Sequence, residues 1–176
     1  MQAVTEVSKN IYWVGASDRR AQRFENIHPL PYGISYNAYL ILDKKVALLD
    51  TVDHSVMEQF MENVDATLGG RAIDYLVMHH AEPDHGASIV RLCQKFPKMQ
   101  IVASQKALQI LTQFHPALQN APQLAVQENE ELNLGEHTLR AVMAPMVHWP
   151  EVMFSYETSK GILFSADAFG TFKGLS

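Results

Sequence analysis

The chain has 176 residues, 47% of them hydrophobic, and a formal net charge of −5. A chain of this length forms one domain that buries roughly 70% of its unfolded surface, and its acidic balance excludes nucleic acid and anionic membrane as main partners. No apolar run approaches the roughly 20 residues that span a bilayer. Met1–Val7 carries neither a basic leader nor an apolar core, and a lone cysteine, Cys93, excludes an internal disulfide, so a reducing, cytoplasmic setting is expected.

In chain order, Ile11–Val14 reads as a strand, and Asp18–Gly33, with Pro29, Pro31 and Gly33, as an ordered loop. Tyr39–Leu42 and Val46–Leu49 form a hairpin around the polar turn Asp43-Lys44-Lys45. Val56, Phe60, Val64 and Leu68 recur every four residues beside Met57 and Met61, which predicts a helix stopped by Gly69-Gly70. Asp53 and His54, just ahead of it, read as capping or surface residues. A strand through Tyr75–Met78, a helix from Gly86 to Phe96 halted by Pro97, and a strand Gln100–Ala103 follow. Cys93 falls on the apolar side of that second helix with Ile89 and Phe96, a packing position. Ser104 caps a further short helix through Leu111. Beyond His115-Pro116 the pattern turns to β: Leu132 and Leu134 alternate with polar neighbours, Thr138–Ala144 is extended, and Val152–Glu157 and Ile162–Ser165 flank a turn at Thr158–Gly161. Interspersed strands and helices give an α/β class with a mixed sheet, in one domain without repeats or linkers.

The stretch His80-Ala81-Glu82-Pro83-Asp84-His85 places four potential metal ligands within six positions, between a strand and a helix. Each residue alone has a plainer reading: Asp84 as a helix cap, Glu82 as a solvated carboxylate, each histidine as a hydrogen-bonded structural residue. Together they need something cationic between them, and imidazoles mixed with carboxylates suit iron or manganese better than thiolates would. His79, next to His80, points to the opposite strand face and is left out. His148 and Asp167 each follow a strand end, where open sheets gather functional groups on one rim. Sixty-two residues separate His85 from His148 and eighteen separate His148 from Asp167.

With these intervals the sequence resembles the flavodiiron proteins, soluble reductases of dioxygen or nitric oxide on the metallo-β-lactamase fold. Phe24-Glu25-Asn26, Ser35–Leu40, Leu49–Asp53, His148-Trp149-Pro150-Glu151 and Leu163–Gly170 match as well, so the resemblance runs through the chain from about Ile11. It implies a four-layered αββα sandwich with mixed sheets and metals at one edge. It further implies that His80, Glu82 and His148 bind one iron, that Asp84 and His85 bind a second, and that Asp167 bridges the two. Hydrolytic members of the fold have a histidine where Glu82 stands, and a hard carboxylate there moves preference from zinc towards iron.

Two features of the family are missing here. Its further histidine ligand lies well beyond the bridging aspartate, whereas no histidine follows His148 in this sequence. Its FMN sits in a C-terminal flavodoxin-like domain. The expectation is therefore that residues 1–176 are the N-terminal part of a metallo-β-lactamase-like diiron domain, incomplete at its C-terminal end. FMN would then be held elsewhere, and a second copy or a complementing chain would cover the exposed sheet. The resemblance implies two iron ions as cofactors and dioxygen or nitric oxide as substrate. The implied electron donor is a flavodoxin-like domain, a rubredoxin or a reduced deazaflavin. Tyr36, His28 and Trp149 are candidates to line the pocket, with packing the plainer reading of each. The competing functions are a metal-dependent hydrolase of thioesters or phosphodiesters, and a fragment that only folds or associates.

Overall fold

The computed structural model describes residues 4–175. Its larger sheet has seven strands: β1 (Thr5–Ser8), β2 (Ile11–Trp13), β7 (Tyr39–Leu42), β8 (Val46–Leu49), β9 (Tyr75–Val77), β10 (Gln100–Ser104) and β11 (Gln123–Val126), in that spatial order. Between them in sequence lie β3 (Ala16–Asp18), β4 (Arg23–Phe24), β5 (His28–Pro29) and β6 (Ile34–Tyr36), which pair as two small ladders, β3 with β6 and β4 with β5. The second sheet is an antiparallel meander of β12 (Glu131–Asn133), β13 (Thr138–Met143), β14 (Met153–Glu157) and β15 (Ile162–Phe164).

Strands β1, β2, β7 and β8 are antiparallel, whereas β8 through β11 run parallel. Each parallel step needs a crossover, and right-handed crossovers put their helices on one face. Those helices are α1 (Met57–Leu68), the pair α2 (Pro83–Gly86) and α3 (Ile89–Lys95), and α4 (Gln105–Phe114). Phe60, Val64 and Leu68 of α1, Ile89 and Leu92 of α3, and Leu108 and Leu111 of α4 pack against Leu40, Leu48, Leu76 and Ile101. The alternate residues Ile41, Ala47, Leu49, Val77 and Val102 face the other way and meet Leu139, Met153 and Phe164 of the second sheet. A sheet covered on both sides explains why Val46–Leu49 is apolar throughout and buried at every position. Helices, larger sheet and smaller sheet make three layers of the αββα arrangement. Among the described residues no helix covers the outer face of the smaller sheet.

The hairpin β7–β8, the stop of α1 at the left-handed Gly69, and the Ser104 cap, whose hydroxyl accepts from the Ala107 amide, follow the sequence reading. Asp53 accepts from the Ser55 amide as a cap, and His54 is exposed. Cys93 packs half-buried against the helix-side core. Three expectations need correction. The helix expected from Gly86 begins at Pro83, whose missing N–H costs nothing at a first helical position, and it breaks at Ala87–Ser88 before α3. The helix expected to end at Leu111 runs to Phe114. The loop Asp18–Gly33 contains the β4–β5 ladder, and the edge strand β1 went unread because its residues are mostly exposed and lack an apolar rhythm.

Candidate metal centre

Parallel strands end together, so the segments after β8, β9 and β10 meet at one rim, the place where open α/β sheets gather ligands. Asp50 and Thr51 follow β8, His79 and His80 follow β9, and Ser104 closes β10. The loop after β13 carries His148 to the same rim, and the turn after β15 carries Asp167. Glu82 occupies the capping position of α2 with extended backbone but makes no capping bond with its side chain, which turns to His80 instead.

The six expected ligands come together in two groups. His80, Glu82, His148 and Asp167 form one; Asp84, His85 and Asp167 form the other. In the first, His80 Nε2 lies 2.9 Å from Glu82 Oε2, 3.2 Å from His148 Nε2 and 3.6 Å from Asp167 Oδ2. His148 Nε2 is 3.3 Å from both Glu82 Oε2 and Asp167 Oδ2. In the second, His85 Nε2 is 2.9 Å from Asp167 Oδ1 and 3.9 Å from Asp84 Oδ2. Asp167 therefore gives one oxygen to each group. Donors gripping one ion at about 2.1 Å stand roughly 3.0–3.4 Å apart, so the first group has the spacing that a single cation requires.

The chemistry of the donor set also fits a cation. Two buried polar atoms here, Asp84 Oδ1 and His85 Nδ1, have no hydrogen-bond partner. Burial pushes the Asp84 carboxyl up to about 6, with Asp167 and Glu82 adding to the rise against His85. Burial also pulls the His80 imidazolium down, but its hydrogen bonds to Glu82 and Glu151 outweigh that and the net shift is upward. Carboxylates this close repel unless positive charge sits among them.

Three residues of the surroundings lie in stretches the sequence matched to the family but were given no role there. Asp50, buried with a left-handed φ of 56°, accepts from the His79 amide at 2.8 Å and from His79 Nδ1 at 2.7 Å. His79 Nε2 then accepts from the Ser155 hydroxyl at 2.8 Å, which ties the two sheets together and explains why His79 lies outside both ligand groups. Thr51 bonds the His85 carbonyl through both its amide and its hydroxyl. Glu151 Oε1 lies 2.8 Å from His80 Nδ1 and 3.0 Å from the Ala81 amide. A carboxylate directly after a strand, and another three residues past a candidate ligand, were the signals available for Asp50 and Glu151.

A cavity of about 460 Å³ opens onto both groups, lined among others by Phe24, His28, Tyr36 and Phe172. Trp149 does not line it; its ring packs edge-on to His80, centroids 5.1 Å apart. Burial, helped by Asp53, Asp84 and Asp18, raises the Tyr36 phenol far above its ordinary value, so it keeps its proton.

Fold and donor pattern define a two-sheet sandwich with clustered histidine, glutamate and aspartate side chains at its rim. The chain belongs to the family described as ODP family beta lactamase, whose sequence model matches residues 34–175. It is 37% identical over 166 residues to the anaerobic nitric oxide reductase flavorubredoxin of Vibrio vulnificus, an alignment covering 93% of this chain and 33% of that protein. The flavodiiron protein from Giardia intestinalis superposes with a TM-score of 0.92 at 32% identity, over 98% of this chain and 42% of that one. The rubredoxin oxygen:oxidoreductase of Desulfovibrio gigas superposes with a TM-score of 0.93 at 29% identity, over 98% of this chain and 43% of that one. The chain thus spans about a third of the length of the curated relative it matches. Among the described residues no helix is long and apolar enough to cross a membrane.

Proposed function

We propose that this chain is the diiron portion of an oxidoreductase that reduces dioxygen to water or nitric oxide to nitrous oxide. The observation that carries the reading is the division of Asp167, one carboxylate oxygen to each of two donor groups. His80, Glu82 and His148 would hold one iron, Asp84 and His85 the other, and Asp167 would be shared. A ferrous pair held there would supply electrons and open positions to a small substrate. The relatives support the substrate class, being an anaerobic nitric oxide reductase and a rubredoxin oxygen:oxidoreductase.

The chain's own residues do the rest. Two imidazoles and two carboxylates in the first group form a hard, nitrogen–oxygen donor set of the kind that suits non-haem iron. Tyr36 Oη holds a proton at the wall of the cavity that the ligands face. Phe24 and Phe172 pack against each other, ring centroids 5.1 Å apart, in the wall of the cavity onto which the ligands open. Residues 1–176 form one metallo-β-lactamase-like domain in this proposal, with FMN and the remaining layer supplied by other sequence or another subunit. A rubredoxin, a flavodoxin-like domain or a reduced deazaflavin would deliver the electrons.

The test is anaerobic loading of the complete protein with ferrous iron, followed by gas-consumption assays with a chemically reduced donor. Iron-dependent uptake of dioxygen or nitric oxide is expected. Zinc-dependent cleavage of a thioester or phosphodiester, with no gas uptake by the iron form, would overturn the reading.

A further inference from the structure

We propose that Glu151 is the positioning residue of this centre: its carboxylate fixes the proton of His80 on Nδ1, so that Nε2 presents its lone pair to the metal. The inference rests on the diiron reading above. Glu151 is buried and its Oε1 lies 2.8 Å from His80 Nδ1. A carboxylate can only accept, so the shared proton belongs to the imidazole nitrogen. The opposite nitrogen, Nε2, faces the ligand group, its neighbours at 2.9–3.6 Å being Glu82 Oε2, His148 Nε2 and Asp167 Oδ2, and a cation held there would take the place of a proton on it. Outer carboxylates of this kind orient a ligand imidazole and raise its basicity.

A purely structural role is the competing account, because Oε1 also accepts from the Ala81 amide at 3.0 Å and the Ser104 hydroxyl bonds the Glu151 carbonyl at 2.8 Å. Those two bonds would pin the loop to the turn as well with a glutamine. The charge is what they leave unexplained. Glu151 Oε2 is buried without a partner, and a buried, half-unpaired carboxylate is costlier than a neutral amide of the same shape. A cation on the far side of the His80 ring compensates it through the imidazole. The arrangement is also one-sided: His85 Nδ1 has no such bond, its nearest carboxylate oxygen being Asp50 Oδ2 at 3.8 Å.

The experiment compares iron-loaded wild type with Glu151→Gln, which keeps the shape and both acceptor bonds but removes the charge. Iron retention against a ferrous chelator and the Mössbauer spectrum are read together. The proposal expects retention to fall by about 10- to 100-fold and one iron environment to change while the other stays. Retention and spectra equal to wild type both in Glu151→Gln and in Glu151→Leu, which removes the acceptor as well, would leave Glu151 a structural residue and overturn the proposal alone. A wild type that takes up no iron overturns the diiron reading and this one with it. Should Glu151→Gln fail to fold, ¹⁵N-histidine NMR of the zinc-loaded wild type decides. A proton on Nδ1 of His80 supports the proposal, and metal bound at Nδ1 contradicts it.

Discussion

Glu157 ends β14 wholly buried, yet it holds its charge. Burial alone would push its carboxyl up, but the Ser159 hydroxyl, the Lys160 and Ser159 amides and the His137 ring bring it below the ordinary 4.5. A carboxyl depressed in the folded state adds stability that is present above 4.5 and fades as the pH falls through the folded value. Glu157→Gln should therefore be less stable than wild type at pH 7, and the gap should close on acidification below about 4.5. Urea unfolding at a series of pH values checks this, and a gap that stays constant would refute it. The same contrast, between residues that act directly and residues that act through others, sets what was legible in the sequence. His80, Glu82, Asp84 and His85 announce themselves because chemistry-bearing side chains crowd one turn. Asp50, Glu151 and Glu157 do not, because each works by gripping a backbone amide or an imidazole whose position only the fold determines.

At the scale of elements, the sheet positions the site and the helices hold the sheet. Phe60 in α1 is fully buried and belongs to the helix-side core cluster with Leu40 and Leu48. Phe60→Ala should cost about 3–5 kcal/mol of unfolding free energy, the range for emptying a buried aromatic position; chemical denaturation reads it directly, and a loss under 1 kcal/mol would show that the helix layer is not tightly packed. The long elements were readable because their apolar residues recur with a clear period, as Val56, Phe60, Val64 and Leu68 do. Strands β3 and β6 were not, since Ala16-Ser17-Asp18 and Ile34-Ser35-Tyr36 lack the apolar block that marks the equally short β2, β9 and β15. The split between α2 and α3 was missed because α2 is a single turn opened by Pro83 inside the ligand stretch, too short to show an apolar period of its own.

Among the described residues one sheet is covered on both faces and the other on one. Tyr156 and Leu163 stand opposite each other on β14 and β15, and both are exposed, as are Phe169 and Met146 on the loops beside them. Strand β15 lies at the end of its sheet, and an unpaired edge beside exposed apolar side chains is a template for association. Residues 1–176 by themselves should self-associate at micromolar concentration in light scattering; a dispersed monomer would contradict that.

Metal binding is the property on which the molecule's proposed activity turns. The first ligand group offers four side chains and the second three, with Asp167 common to both. The direct measurement is anaerobic titration with ferrous iron of wild type and Asp167→Ala, followed by metal analysis. Two irons in the wild type, the first bound more tightly, with the second lost and the first weakened in the variant, is the predicted result. Zinc in place of iron, or a variant that binds iron as the wild type does, would contradict the shared two-metal site.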